Sequence, residues 1–190
     1  MQQNSETELE SEKVPGWASA LGVVAIILGV FLTAYHGTEW MKNPDLINNM
    51  PLAGLPEAVC PQGEMEEEGI SLAECRYMVA NVQGIVLSMP SWFPAIMTWL
   101  AALGTLFAFF SIIVGGALVN FSPWAIKAAI TVFAALGFID ILEFAAAVNA
   151  GPIIRSLYLW HIVLWFLLHL MMLVAAVVGH EALQSETIRT

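Results

Sequence analysis

The chain has 190 residues, 58% hydrophobic and 12% charged, with a mean hydropathy of +0.75. Soluble domains carry about 45–50% apolar and about 25% charged residues, so this composition excludes an ordinary soluble domain and makes lipid the expected solvent. Sixteen acids against six bases give a net charge of −10, which argues against a nucleic-acid partner, and the length leaves room for one membrane domain without a separate catalytic one.

Residues 1–13 are polar and hold Glu6, Glu8, Glu10 and Glu12. Too few apolar groups are present to offset the entropy of ordering. The stretch reads as a disordered cytoplasmic tail ahead of a membrane domain at 14–180, with a second short cytoplasmic tail at 181–190. No basic segment precedes the first apolar run and no small-residue cleavage site follows it, so the first span is expected to be retained. It covers roughly residues 16–37 and opens with Pro15 and Trp17. Ala18, Gly22, Ala25 and Gly29 recur along it at a 4-3-4 spacing, a stripe of small residues that lets a neighbouring helix approach closely. His36 and Glu39 follow at its outer end, as candidate contributors to a site at the mouth.

Residues 38–90 form the one long connection. It holds eight of the acids, from Glu39 to Glu74, and both cysteines, Cys60 and Cys75. A single bridge between them suits an oxidising compartment, two free thiols being the alternative. The bridge places the loop outside and both termini in the cytoplasm. The positive-inside rule does not decide, because Lys13, Lys127 and Arg189 fall on one side and Lys42, Arg76 and Arg155 on the other. Upstream in the loop, Pro44, Pro51, Pro56 and Pro61 with several glycines argue against a long helix. The run Glu64, Glu66, Glu67, Glu68 lacks the alternating ligands and central glycine of a calcium loop and reads as a solvated acidic turn. Ser71-Leu72-Ala73-Glu74 has the form of a capping box. Leu72, Cys75, Val79, Val82 and Val86 follow at helical spacing, so a short amphipathic helix is expected on the bundle mouth or membrane surface before Pro90. The order Trp40, Gly54-Leu55, Cys60, Cys75 is similar to that in the first outer loop of claudin-type tetraspan proteins. The resemblance covers the loop alone: Pro56 stands where those proteins carry a tryptophan, and the cysteines are farther apart.

Three more segments reach the about 20 apolar residues that cross a hydrocarbon core about 30 Å thick, at roughly 92–119, 123–148 and 153–179. Each opens with proline and an aromatic: Pro90, Trp92 and Pro94; Pro123 and Trp124; Pro152, then Tyr158 and Trp160. Proline is tolerated in a first helical turn and tryptophan prefers the headgroup zone. On the second span Gly104, Ala108, Ser111 and Gly115 repeat the 4-3-4 spacing of small residues. The links Asn120–Ser122 and Asn149–Gly151 are so short that spans two to four must be antiparallel neighbours. The predicted fold class is therefore an all-α integral membrane protein, a four-transmembrane-helix bundle with a long extracytoplasmic loop.

Ionisable groups inside a span cost about 2.5–3.5 kcal/mol each on insertion scales and face protein or water. The third span carries Asp140 and Glu143 on one face, and the fourth carries Arg155, His161 and His169. Folding these spans back at Gly151, with about 1.5 Å of rise per residue, brings Asp140, Glu143 and His161 to a common depth in the outer half. Arg155 then falls near the mouth. Asp140, Glu143, Arg155 and His161 are the expected intramembrane cluster, either a salt-bridge network that fixes packing or a proton, polar-ligand or metal site. For a metal, the candidate ligands are Asp140, Glu143 and His161. Tyr158, Trp165, His169 and Met172 extend a stripe along the fourth span that reads as a packed seam or as the wall of a quinone or haem pocket.

No glycine-rich phosphate loop, CxxC pair, GxSxG elbow or HExxH pair is present, so most enzyme classes find no support and no cofactor is assigned. The reading that follows is a small tetraspan subunit of a larger membrane complex, with other membrane-protein subunits as partners. The alternatives are a redox, metal- or quinone-binding enzyme subunit and a small proton-coupled transporter or channel.

Overall fold

The computed structural model describes residues 16–48 and 60–189. The acidic tail at 1–13, and Pro51, Gly54-Leu55 and Pro56 of the long loop, lie outside the described residues. Those described form six helices: α1 (Gly16–Asn48), α2 (Gln62–Glu68), α3 (Leu72–Ser88), α4 (Phe93–Val119), α5 (Ala125–Asn149) and α6 (Pro152–Arg189). Four apolar stretches, Gly16–Met41, Phe93–Val119, Ala125–Asn149 and Pro152–Ser185, are long and apolar enough to cross a membrane. The shortest has 25 residues, about 37 Å of helix against a core of about 30 Å. The chain is a multi-pass helical membrane protein.

The turns that reverse the chain are tight. After α4, Ser122 N–H donates to the carbonyl of Ala117 at 2.9 Å and Phe121 N–H to that of Leu118 at 3.0 Å. Between α5 and α6, Gly151 adopts φ 107°, a conformation that side chains with a Cβ rarely enter. The neighbours around the bundle run α1–α4–α5–α6, with a smaller contact closing α6 onto α1.

Small residues set the α1–α4 contact. A Cβ built on Gly22 would stand 2.6 Å from the Gly115 carbonyl oxygen, and one on Gly29 would stand 2.9 Å from that of Ala108. Ser111 Oγ donates to the Ala25 carbonyl at 3.1 Å. The two stripes read from the sequence thus meet each other in antiparallel register. In lipid, where hydrophobic burial gives no drive for association, this close approach supplies van der Waals contact and an interhelical hydrogen bond. At the end remote from the loop, the Trp17 ring lies over Gly179 of α6, where any side chain would collide. The faces turned outward are apolar: Trp99 and Trp160 are each 73% exposed, as expected of surfaces solvated by acyl chains.

Below the level of Asp140, the bundle interior is an apolar cluster that includes Leu21, Val114, Leu118, Val132, Phe133, Leu136 and Met172. At the loop end a smaller cluster joins Phe93, Ala146, Ala150 and Ile154, with Ile85 and Met89 packed against it. These two residues, at and just beyond the end of α3, anchor that helix. Farther up, Cys75 is buried whereas Leu72 and Val82 are exposed, so only part of the expected apolar stripe is covered by protein. The capping box forms: Ser71 N–H and Oγ–H both donate to Glu74 Oε2, at 2.8 and 2.7 Å, and Glu74 N–H donates back to Ser71 Oγ at 3.3 Å. Cys60 and Cys75 are joined by a disulfide with a Cα–Cα distance of 6.1 Å.

Two local expectations change. Pro44 does not end the first helix, which continues to Asn48. A proline in a helix withdraws the hydrogen bond to the carbonyl four residues earlier and crowds that carbonyl. Here that carbonyl belongs to Trp40, which is 49% exposed and can be solvated. The acidic run is also not a turn but the short helix α2, closed by Gly69 at φ 68°, with Glu66, Glu67 and Glu68 exposed.

Candidate functional site

The carboxylates of α5 are buried, Asp140 at 2% and Glu143 at 5% exposure. Three residues apart, they share one face of the helix, turned toward α6 and α1. Asp140 Oδ2 lies 2.6 Å from Nδ1 of His169, itself 1% exposed. Glu143 Oε1 lies 3.9 Å from Nδ1 of His36, a long ion-pair distance that a small adjustment or a water converts to a hydrogen bond. The Asp140–His169 contact thus ties α5 to α6, while Glu143 and His36 approach each other between α5 and α1 without a direct hydrogen bond. His169 sits at the centre of its span, while Glu143 and His36 lie about 10 Å nearer the loop end by helical rise.

Of the residues expected to cluster, the structure brings Asp140 and Glu143 into the interior but not Arg155 or His161. Arg155 is exposed, and its Nη2–H donates to the Val148 carbonyl at 2.7 Å. There it satisfies one of the acceptors left open at the C-terminus of α5. His161 is exposed; it stands about 80° round the helix from His169 by the 3.6-residue repeat. The inward position at its level is held by Ile162, 3% exposed. Depth matching could not see this, because it fixes height and leaves azimuth open. His169, expected only in the accompanying stripe, is the true partner of Asp140. Met172 of that stripe joins the apolar core, whereas Tyr158 and Trp165 line a cavity.

His36 moves from the mouth to the interior, at 3% exposure. A signal for this was present in the sequence. Gly22, Gly29 and His36 are spaced by seven residues, so His36 continues the stripe that faces α4. Opposite it, Gly104 makes room: a Cβ there would stand 2.9 Å from the imidazole ring.

Above Glu143, a cavity of about 40 Å³ opens toward the loop end, lined by Tyr35, His36, Glu39, Phe93, Glu143, Tyr158 and Trp165 among others. One water needs about 10–15 Å³ in such a measure, so the space holds a few waters or a very small ligand. Quinone rings and haem need pockets of several hundred cubic ångströms. Tyr35 stacks at a tilt on Trp165 with centroids 6.1 Å apart, and Phe93 meets Tyr158 edge-to-face at 5.8 Å. A second, apolar recess of about 180 Å³ between α5 and α6 reaches Asp140 from the side, lined by Ile141, Phe144 and Phe166. Among the described residues, two buried donors or acceptors, Trp165 Nε1 and His169 Nε2, have no hydrogen-bond partner. Among the described residues, no group of three or more His, Cys, Asp or Glu is arranged to hold a metal ion. The proposed trio of Asp140, Glu143 and His161 is not assembled, since His161 lies outside.

The chain matches no protein-family model, no curated protein and no solved structure.

Proposed function

We propose that this chain is a small tetraspan membrane subunit that handles protons at the Asp140–His169 and Glu143–His36 pairs. In this reading the loop lies outside, both termini lie in the cytoplasm, and the chain works within a larger membrane complex. The observation that carries it is the placement of two carboxylate–imidazole pairs, drawn from three helices, with Glu143 and His36 in the wall of a cavity at the loop end and Asp140 bordering a separate apolar recess. Imidazole is the side chain whose protonation changes near neutral pH, and ionisable groups inside a span mark proton and ion paths by default. Tyr35, Glu39 and Tyr158 line the cavity above Glu143 and supply exchangeable hydrogens between it and water. The apolar cluster beneath His169 leaves the other end dry, so protons exchange from one side.

Protein in nanodiscs, in a weakly buffered medium containing a pH-sensitive dye, tests this through the protons it takes up from solution. After an acid step the wild type takes up protons from the medium, and Asp140→Asn and Glu143→Gln each slow the uptake by about 100-fold or more, the scale expected when a proton-transfer group is removed. Uptake unchanged in both variants overturns the reading. For the subunit role, purification in mild detergent yields a species larger than the single chain together with other membrane proteins. A stable monomer with nothing bound counts against it.

A further inference from the structure

We propose that a trough running down α6 from Arg155, and into the apolar recess beside Asp140, binds one anionic phospholipid of the loop-side leaflet. Its phosphate sits on Arg155 and one acyl chain fills the recess. The inference is independent of proton handling and uses neither buried histidine.

Two hollows make up the site. Arg155, Leu159, Trp160 and Val163 line an open trough along one side of α6. Val163 and Phe166, with Phe144 of α5, line the recess. Arg155, Leu159, Val163 and Phe166 follow at intervals of four, four and three, a single stripe on the helix. Val163 belongs to both walls, so the hollows join. Length fits a lipid: from Arg155 to Phe166 is about 17 Å by helical rise, close to half of a hydrocarbon core about 30 Å thick. That is the reach of one chain from headgroup to bilayer centre. Polarity fits as well. The recess is apolar, and Asp140 at its edge is only 2% exposed, with Oδ2 held against His169. At about 180 Å³ it falls below the about 300–1,000 Å³ of drug-sized pockets and takes the end of a chain rather than a bulky ring. Charge is the third match. Arg155 is exposed and gives one N–H to the Val148 carbonyl, a neutral acceptor. Four of its five donors remain for a phosphate, whose geometry the guanidinium fork suits. No Asp or Glu is among the trough's described lining residues, and among the described residues no carboxylate pairs with Arg155. The head of the trough is also the first turn of α6, where the helix dipole favours an anion. Ser156 has its hydroxyl hydrogen on the Ile153 carbonyl, so phosphate recognition falls to Arg155. Trp160, 73% exposed, lies about 8 Å deeper by helical rise, at the border that tryptophan prefers. A lipid with net negative charge neutralises Arg155, whereas a zwitterionic one brings its own cation.

Native mass spectrometry of the full chain, released from detergent after incubation with long-chain phosphatidylglycerol, tests the inference. Binding is expected to saturate at one lipid per chain. Phosphatidylcholine with the same chains binds severalfold more weakly, and glycerol phosphate, the headgroup without the chains, displaces nothing. Arg155→Ala weakens the lipid by about tenfold or more, as loss of a charge-assisted contact does. Arg155→Lys, which keeps the charge and loses the fork, falls between. Val163→Trp, which fills the junction of trough and recess, weakens binding by a similar factor with Arg155 intact. A thermal melt of each variant identifies any that fail to fold, and Val163→Trp carries the test if Arg155→Ala is one of them. Adducts that do not saturate, or that neither substitution changes, mean annular lipid alone and overturn the proposal. Equal retention of phosphatidylcholine, or displacement by glycerol phosphate, does the same. So does a lipid-free dimer, which would show that a second copy covers the trough.

Discussion

At the scale of single residues, the bundle is most sensitive where a polar group or a missing side chain has a specific partner. Asp140 and His169 are buried together 2.6 Å apart. Removing one member leaves the other desolvated and unpaired, at a cost of about 3–5 kcal/mol, whereas replacing both with apolar residues is often nearly neutral. Asp140→Leu is therefore expected to lower stability in mixed-micelle unfolding by that amount, and adding His169→Leu to recover most of it. Simple additivity of the two losses would show that they do not act as a pair. Adjacent glycines provide a second contrast. A Cβ at Gly115 would stand 2.7 Å from the Gly22 carbonyl oxygen, while one at Gly116 meets nothing within 4 Å. Gly115→Ala is expected to cost about 1–3 kcal/mol through overpacking, and Gly116→Ala to be neutral or stabilising by up to about 1 kcal/mol through helix propensity. Detergent melts of the two variants make the comparison. The residues involved in both tests are visible in the sequence as a stripe and as intramembrane charges. Which histidine Asp140 meets is not, because His161 and His169 lie about 12 Å apart along one helix by its rise and about 80° apart around it, and the choice depends on how α6 is tilted and rotated against α5.

At the scale of elements, the loop carries its own unit, α2 and α3 joined by the disulfide across 15 residues. Closing a loop of that length restricts the unfolded chain by about 3 kcal/mol. Cys60→Ser should therefore expose α2 and the start of α3 to rapid amide exchange, while α4, α5 and α6 keep their protection. Uniform loss of protection across the spans would show that the bridge also holds the bundle together. The first turn of α3 adds a pH dependence. Hydrogen bonds from the Ser71 backbone N–H and then its hydroxyl hold the Glu74 carboxyl below its ordinary range. Its contribution is complete above the unfolded carboxyl's pKa and is lost as pH falls through the lower folded value. Amide exchange at the α3 N-terminus, referred to its intrinsic rate, should accelerate on acidification into that window. In Glu74→Gln this step should vanish; its persistence would assign the effect to another group. The capping box is legible because its partners are three residues apart, whereas the course of α1 past Pro44 to Asn48 runs against the local signal of a proline.

For the whole molecule, four crossings return the chain to the side where it began, so the first and last spans begin and end on one face of the membrane. The orientation proposed above gives a direct expectation. In intact cells a membrane-impermeant maleimide labels Cys60 and Cys75 only after an impermeant reductant has opened their bridge. Labelling that appears solely after the membrane is permeabilised would reverse the topology. The polarity of the interior follows the same axis: the buried carboxylates, imidazoles and phenols lie at or above the level of His169, beside an apolar cluster at the loop end, and the interior below His169 is apolar.

The sequence alone determined the number of spans, the antiparallel order of the last three and the capping box. Each of these rests on short-range spacing or on transfer of apolar residues out of water, terms that are local and nearly additive along the chain. The tertiary structure decided that the α1 stripe meets the α4 stripe, that His36 turns inward against Gly104, and that Asp140 takes His169 while His161 faces out. Those outcomes depend on the rotation and tilt of one helix against another. In lipid they are set by how closely two particular surfaces fit, and no spacing within a single helix contains that information.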